Sequence, residues 1–319
     1  MEKPLVSISL VAFNQEPYIR EALESCLMQQ VDFKYEILIH DDASSDGTQE
    51  IIREYAQKYP ELIFPVFQEE NQFSQGFEVN ACFNISRAKG KYIAYLEADD
   101  YWIDPMKLQT QADFMEAHPD VSMCFAASKR IFSDNREPQI HRYRKHDAVV
   151  NMKDVIAMGG RMVDMGSAVV QRSIYQNTPD WYHYSQIWDL TVPLLAIIHG
   201  KIQYLDRVTS VYRYNVPGSW TNRNVKSYER RVNNLKRSIR VTDGFDKETN
   251  YQYHKLIQKK HNPILVEILL LINEQDPDFK ELYDRLPLLP RLEYHFFKRL
   301  GIFKLWEIHR HNKRVLTGF

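Results

Sequence analysis

Short apolar segments alternate with amphipathic ones along the first 132 residues of the chain. Five of the apolar segments have the length and composition of buried strands: LVSISLVAF, YEILIH, LIFPVFQ, KYIAYLE and VSMCFAASKRIF. The segments between them place apolar side chains at helical spacing, beginning with Ile19, Ala22 and Leu23 after Pro17. This alternation predicts an α/β fold with a mostly parallel, Rossmann-like sheet and flanking helices.

Polar residues directly follow four of the predicted strands. They are Asn14 and Glu16, Asp41 and Asp42, Glu69, Glu70 and Asn71, and Asp99 and Asp100. In parallel sheets, ligands bind at the carboxyl ends of the strands. Because these ends share one edge of the sheet, we expect the polar side chains to converge there on one site.

The stretch YIAYLEADDYW places three carboxylates, Glu97, Asp99 and Asp100, within four residues. Like charges this close cannot all ionise cheaply in a low-dielectric site, so we expect a cation beside them. The chain has no Cys/His zinc spacing. Carboxylates without imidazoles or thiolates suit Mg²⁺ or Mn²⁺, which also bind substrate phosphates. The alternative is a solvated acidic turn, with Asp104 as the cap of the next helix.

The remaining composition limits the class of protein. The 319 residues suit one large domain or two moderate ones, and three cysteines without metal-ligand spacing indicate a reduced, cytoplasmic protein with buried thiols. The N-terminal residues lack the layout of a signal peptide, and the longest apolar stretch, residues 264–272, is too short to span a bilayer. Neither G-x-G-x-x-G nor G-x-x-x-x-G-K-[ST] occurs, which disfavours dinucleotide and P-loop sites.

Four segments, in this order, resemble the family 2 glycosyltransferases of bacterial type, which have the GT-A fold: VSISLVAFNQEPYIREALESCLMQQ, YEILIHDDASSDGT, GKYIAYLEADDYWIDP and IWDL. The resemblance is continuous over about residues 5–132 and thinner to about residue 215. It implies a GT-A domain over residues 1–225, with a nucleotide-binding half, 1–132, and an acceptor half, 133–225. A mainly helical C-terminal region, residues 226–319, is expected to follow.

The resemblance also implies roles for individual residues. Three of them would surround the nucleoside of the donor: Val11, Phe13 and Glu16. Asp42 would accept a hydrogen bond from the base, and Asp99 would bind the ribose hydroxyls. Asp100 would coordinate the metal, Mn²⁺ or Mg²⁺, that bridges the diphosphate. Asp189 aligns with the general base of the family, although Asp is also a favoured helix N-cap.

The function implied by the resemblance is inverting transfer of a sugar from a nucleotide diphosphate donor, a UDP-sugar, to a glycan or lipid-linked acceptor in surface polysaccharide synthesis. The acceptor hydroxyl would attack while Asp189 takes its proton, and a loop over residues 216–224, with Pro217 and Gly218, would close on the site. No nucleic-acid partner is expected. Two segments depart from the family pattern: Asn215 stands where many members have His, and residues 71–84 lack the usual Asn-x-Gly.

Two other classes remain open from the residues alone. A nucleotidyltransferase that makes sugar nucleotides shares the α/β layout, but it needs a Gly-rich loop after the first strand, where this chain reads AFNQEPY. A non-enzymatic receiver-like domain also has an acidic pocket. That class places its acidic pair after the first strand and its acceptor Asp after the third, whereas the pairs here follow the second and fourth predicted strands.

Charge is distributed unevenly along the chain. Residues 1–120 hold 9 Lys and Arg against 22 Asp and Glu, whereas the remainder holds 32 against 20. Residues 290–319 combine basic residues such as Arg291, Lys298 and Arg310 with apolar ones such as Phe296 and Trp306 at roughly helical spacing. This pattern predicts either an interfacial helix on the inner face of the cell membrane or an ordinary helix packed on its own domain.

Overall fold

Ten strands form one sheet in the part of the chain that the structure describes. The computed structural model describes residues 3–134, 136–183, 186–216, 219, 222 and 227–300, with the backbone only for Leu300. The strands are β1 (Val6–Ala12), β2 (Tyr35–Asp41), β3 (Ile63–Phe67), β4 (Tyr92–Glu97), β5 (Tyr101–Trp102), β6 (Val121–Phe132), β7 (Gln139–His141), β8 (Ala148–Val150), β9 (Val169–Gln171) and β10 (Lys201–Tyr214).

The strand order explains why one edge of the sheet carries the site. The order is β3-β2-β1-β4-β9-β6-β10-β5, with β7 beside β6 and β8 beside β10. The first four strands run parallel, as predicted, and so do β6 and β10. The short strands β5, β7, β8 and β9 add antiparallel pairs, so β9 separates β4 from β6. The carboxyl ends of β1, β2 and β4 therefore lie together.

Helices flank the sheet and continue into the C-terminal region. They are α1 (Ile19–Leu27), α2 (Thr48–Lys58), α3 (Lys107–Ala117), α4 (Met152–Met158), α5 (Asp180–His183), α6 (Trp188–His199), α7 (Tyr228–Glu248), α8 (His254–Leu271), α9 (Phe279–Asp284) and α10 (Leu288–Leu300). α7 begins close to the predicted boundary at residue 226. None of the described helices combines the length and apolar composition needed to cross a bilayer.

Residues 78–89 lie between the third and fourth strands, where the alternation predicts a helix, but they have a different local structure. It forms a single π turn, Asn80–Asn84, followed by a 3₁₀ turn, Ile85–Arg87. Asn80 accepts a hydrogen bond from the Ser9 hydroxyl at 2.6 Å, and Asn84 donates to the Leu10 carbonyl at 3.1 Å. These buried amides tie the segment to β1. The π turn is a single turn, as π turns in proteins usually are.

Apolar side chains fill the space on both faces of the sheet. Along β1, Val6, Ile8 and Leu10 belong to a core shared with α1, while the alternate residues Ser7 and Ser9 face the other side. A further core joins α7, α8 and α10 within the C-terminal region. The thiols agree only in part with the prediction that all are buried: Cys26 and Cys124 are buried, but Cys82 is exposed.

Candidate active site

A cavity of about 420 Å³ opens at the carboxyl ends of β1, β2 and β4. Its size falls within the range of small-molecule sites. Five residues predicted to act in the site line it: Val11, Phe13, Asp42, Asp99 and Asp189. Glu16 and Asp100 are not among the residues that line it. The carboxylate of Glu16 accepts a hydrogen bond from the Gly47 N–H at 2.9 Å and so holds the turn before α2.

Asp42 organises one wall of the cavity. Its carboxylate accepts hydrogen bonds from the backbone N–H groups of Gln72, at 2.7 Å, and Phe73, at 3.1 Å. His40 lies 3.2 Å away on β2. Burial alone would raise the pKa of Asp42, but the hydrogen bonds from His40, Gln72 and Phe73 outweigh it, so the pKa lies below its ordinary value. Asp42 is therefore a fixed anion that orders the loop over the cavity.

Glu97, Asp99 and Asp100 stand at the end of β4 as a cluster of negative charge. Burial, followed by repulsion from Asp99 and Asp189, raises the pKa of Glu97 to about 8. Burial and the charges of Asp99 and Glu97 likewise raise the pKa of Asp100 well above its ordinary range. Negative charge on Glu97 and Asp100 is therefore disfavoured in the folded protein, which is the condition that a bound cation relieves.

Arg213 on β10 contacts the turn that carries Asp99 and Asp100. Its guanidinium donates to the Asp99 carbonyl at 2.6 Å, and its N–H donates to Asp100 Oδ1 at 2.8 Å. The guanidinium also pairs with Glu21 and stacks on the rings of Tyr18 and Tyr101. Arg213 thus fixes the acidic turn through the Asp99 carbonyl and Asp100 Oδ1.

The donor set fits a hard divalent cation that takes few protein ligands. Across the described residues, no three His, Cys, Asp or Glu side chains converge as a complete metal site. Mg²⁺ and Mn²⁺ do not require one, because they bind through one or two carboxylates plus substrate phosphates and water. Asp99 lines the cavity and Asp100 directly follows it in the chain, so these two carboxylates could hold such an ion.

Asp189 lies in the first turn of α6 and lines the cavity. α6 begins at Trp188 with Ile187 at the N-cap position, so Asp189 is not the N-cap. Burial, together with repulsion from Asp164, raises the pKa of Asp189 to about 7, and the Leu190 N–H and Lys260 oppose this rise. A carboxylate with a pKa near neutrality is matched to proton abstraction at physiological pH.

Two adjacent glycines allow Asp189 and Lys260 to approach the same turn. A Cβ atom at Gly160 would lie 2.6 Å from Asp189 Oδ2, and one at Gly159 would collide with Lys260 Nζ. Gly159 also has a φ of 54°, which favours glycine. Lys260, on α8, donates to the Ile156 carbonyl at 2.7 Å, and burial lowers its pKa to about 8. The C-terminal region therefore supplies a cation close to the candidate base.

The sequence analysis missed a polar cluster in the cavity wall. Arg130 on β6 binds Asp164 through both carboxylate oxygens, at 2.6 and 2.9 Å, and His141 Nδ1 lies 3.2 Å from the same carboxylate. Burial would raise the pKa of Asp164, but His141 and Arg130 lower it far below its ordinary range. Arg130 and His141 lie on separate strands and Asp164 lies in the turn before Met165, so no local motif marks the cluster. The available signals were Arg130 and Asp164, which are charged residues beside apolar segments.

Other predicted elements can be placed only in part. Asn215, where many family members have His, has a φ of 62° and accepts a hydrogen bond from the Asn222 amide at 3.1 Å. Pro217, Gly218 and most of the predicted closing loop lie outside the described residues, as do residues 301–319.

Comparison with known proteins gives a consistent assignment. The family model described as glycosyl transferase family 2 matches residues 7–188. An uncharacterised protein of Mycobacterium tuberculosis strain H37Rv is 32% identical over 222 residues, which cover 67% of this chain and 60% of the relative. The chain thus matches well under two thirds of that relative's length. TuaG of Bacillus subtilis, named as a teichuronic acid biosynthesis glycosyltransferase, is 39% identical over 113 residues, 35% of this chain and 42% of TuaG.

Solved structures resemble the fold over nearly the whole chain. Residues 1–349 of TarS from Staphylococcus aureus, in complex with UDP, align with a TM-score of 0.56 and 15% identity, covering 97% of this chain and 91% of that one. The mannosyltransferase PcManGT from Pyrobaculum calidifontis, in complex with GDP-Man and Mn²⁺, aligns with a TM-score of 0.54 and 14% identity, covering 97% and 83%. These likenesses confirm the predicted GT-A fold class.

Proposed function

Because this chain belongs to glycosyl transferase family 2, as predicted, we propose that it transfers a sugar from a nucleoside diphosphate donor, a UDP-sugar, to a saccharide or lipid-linked saccharide acceptor in surface polysaccharide synthesis. One observation carries the proposal: the acidic end of β4 and the carboxylate of Asp189, with a pKa of about 7, face one cavity. TarS binds UDP and UDP-GlcNAc, and PcManGT binds GDP-Man, according to the descriptions of their structures.

The donor would occupy the cavity with its nucleoside toward Val11, Phe13 and Asp42. Asp99 would contact the ribose hydroxyls, and Asp100 would hold Mn²⁺ or Mg²⁺ beside the diphosphate. A divalent cation held there would neutralise the charge that develops on the leaving diphosphate. The PcManGT complex contains Mn²⁺, which supports the choice of metal.

Transfer would proceed by one displacement with inversion at the anomeric carbon. The acceptor oxygen forms a bond to that carbon while the bond to the diphosphate oxygen breaks. Asp189 accepts the proton of the acceptor hydroxyl, and the nucleoside diphosphate leaves with the electron pair. Membership of this family removes the support for a nucleotidyltransferase or a receiver-like domain.

The test of this function is a panel of UDP-, GDP- and dTDP-sugars, scored by thermal shift with Mn²⁺ and by release of the nucleoside diphosphate. Binding at a hundredfold excess over Kd stabilises a protein by about 2.7 kcal/mol, which is enough to rank donors. We expect UDP to bind much more weakly without divalent metal. Asp100→Asn keeps an acceptor for the Arg213 N–H and should lose this metal dependence. Equal UDP affinity of the wild-type protein with and without Mn²⁺ would exclude the metal role.

The proposed cellular location is cytoplasmic, with peripheral contact to an anionic leaflet. On α10, Tyr294 and Phe297 pack into the C-terminal core, whereas four apolar side chains are 57–77% exposed: Leu288, Leu289, Leu292 and Phe296. Apolar residues on one face of a helix, with basic residues such as Arg299 nearby, are typical of interfacial helices.

This location is testable with vesicles. Deleting residues 290–319 would remove Tyr294 and Phe297 from the core, so substitution of the exposed pair Leu289 and Phe296 by Gln is the cleaner experiment. We expect salt-sensitive binding of the wild-type protein to anionic vesicles, weak binding to neutral ones, and loss of binding in the double variant. A wild-type protein that ignores anionic vesicles at low salt would place the acceptor in solution.

A further inference from the structure

Arg161 is a cation in the cavity wall without a counter-charge. It ends the 3₁₀ turn Gly159–Arg161 and lines the cavity, with more than a third of its surface exposed. Within the part of the chain that the structure describes, no side chain forms a hydrogen bond or an ion pair with it. Burial lowers the pKa of its guanidinium, and no carboxylate opposes that shift.

Arg130, which also lines the cavity, differs from Arg161 in having a counter-charge. Arg130 is held by both oxygens of Asp164, so its charge is already matched. The same wall also contains Glu78, Glu97 and Asp189, yet none of these carboxylates reaches Arg161. A partly desolvated guanidinium left in this state favours an anion supplied by a ligand.

The position of Arg161 in the cavity indicates which ligand would supply this anion. Arg161 follows Gly160, whose Cα lies against the carboxylate of Asp189. In an in-line displacement, the general base stands on the side of the attacking hydroxyl, and the diphosphate leaves from the opposite side of the anomeric carbon. The turn that carries Arg161 is therefore at the Asp189 end of the cavity, the proposed acceptor side, whereas Asp99, which also lines the cavity, belongs to the proposed donor side.

We propose that Arg161 binds an anionic group, a carboxylate or a phosphate, that the acceptor carries near its attacking hydroxyl. The acceptor class is then an acidic or phosphate-bearing saccharide or polyol, and this inference rests on the proposed function. A guanidinium forms paired hydrogen bonds with both kinds of anion. Such charge-assisted bonds correspond to roughly tenfold to hundredfold in affinity.

The experiment measures binding of matched probes to the full chain saturated with UDP and Mn²⁺. Glucuronate is compared with glucose, and glycerol 3-phosphate with glycerol, by calorimetry. The two pairs separate a carboxylate site from a phosphate site. We expect the wild-type protein to bind the anionic member of at least one pair roughly tenfold or more tightly than the neutral member. Arg161→Gln should remove this difference, and Arg161→Lys should retain part of it.

UDP affinity, measured in the same variants, separates the acceptor from the donor. We expect Arg161→Gln to bind UDP–Mn²⁺ as the wild-type protein does and to unfold at the same temperature, because Arg161 has no partner among the described side chains. Equal binding within both probe pairs would overturn the inference, as would an anion preference that survives in Arg161→Gln. Weaker UDP binding in that variant would instead assign Arg161 to the diphosphate. Failure of the wild-type protein to bind any nucleotide would reject the proposed function itself.

Discussion

Asp189→Asn is expected to make the protein more stable and much less active at the same time. The substitution preserves the size of the side chain and its ability to accept the Leu190 N–H, but it removes the ionisable proton. We expect turnover to fall by about 10²–10⁴-fold, the usual contribution of a general base, while UDP affinity is retained.

The gain in stability follows from the pKa of Asp189. In the folded protein the pKa lies at about 7, compared with an ordinary value of 3.8, so the folded state holds its proton more tightly than the unfolded state. The stabilising effect of that proton is full below about pH 4 and is lost as the pH rises through about 7. Three pKa units correspond to about 4 kcal/mol in the free energy of unfolding. At pH 8 the wild-type protein has lost this stabilisation because Asp189 is ionised, whereas the Asn variant, which cannot ionise, keeps it.

Lys260 sets an upper limit on this gain. Asp189 raises the pKa of Lys260, so removing the carboxylate leaves a buried ammonium with less compensation. About 4 kcal/mol is therefore the largest difference in the free energy of unfolding that we expect at pH 8. At pH 4 the two proteins should have nearly equal stability, because Asp189 is protonated in the folded wild-type protein.

The assay is urea unfolding at pH 4, 6 and 8, combined with nucleoside diphosphate release from the best donor of the panel. Asp113→Asn is the matched control, since Asp113 is an exposed carboxylate on α3. The reasoning fails if the stability difference between Asp189→Asn and wild type is the same at all three pH values. Normal turnover in Asp189→Asn would remove Asp189 from the mechanism.

Two further predictions concern the turn that Asp189 and Lys260 share. Lys260→Gln can still donate to the Ile156 carbonyl but removes a positive charge near Asp189. The acid limb of the pH profile of kcat/KM should therefore move to higher pH by about one unit. Lys255→Gln, at an exposed position on the same helix, should leave the profile unchanged. Gly160→Ala forces the carboxylate of Asp189 to shift, because the added Cβ would lie too close to it. Turnover should fall by about 10²-fold while UDP binding is unchanged. An activity equal to that of wild type would show that the position of Asp189 is not critical.

The sequence predicted the parallel half of the sheet well because its signals are local. β1, β2, β3 and β4 are short apolar segments that run parallel, so the polar residues that follow them lie at one edge. The same reasoning predicted Asp42 and Asp99 at this edge, and both line the cavity. Their individual roles, and those of the other predicted site residues, stay predictions.

The rest of the site depends on contacts between distant segments. The cluster of Arg130, His141 and Asp164 forms only because β6 pairs with β7 and the chain returns toward β9. Lys260 lies on a helix where a lysine usually indicates a solvated face, and no periodic pattern distinguishes it from Lys255. The adjacent glycines 159 and 160 were the available clue, because such a pair often permits close approach of other side chains.

The influence of Lys260 on the carboxylate of Asp189 limits how far this chain can be divided into separable modules. The family match ends at residue 188, yet a side chain more than seventy positions later stabilises the ionised form of Asp189. A chimera that joined residues 1–225 to the C-terminal region of a relative would keep every residue predicted for donor binding. Its base would nevertheless titrate at a different pH unless the relative supplied an equivalent cation. In recombination between relatives, the C-terminal region and the glycine pair should therefore be inherited together.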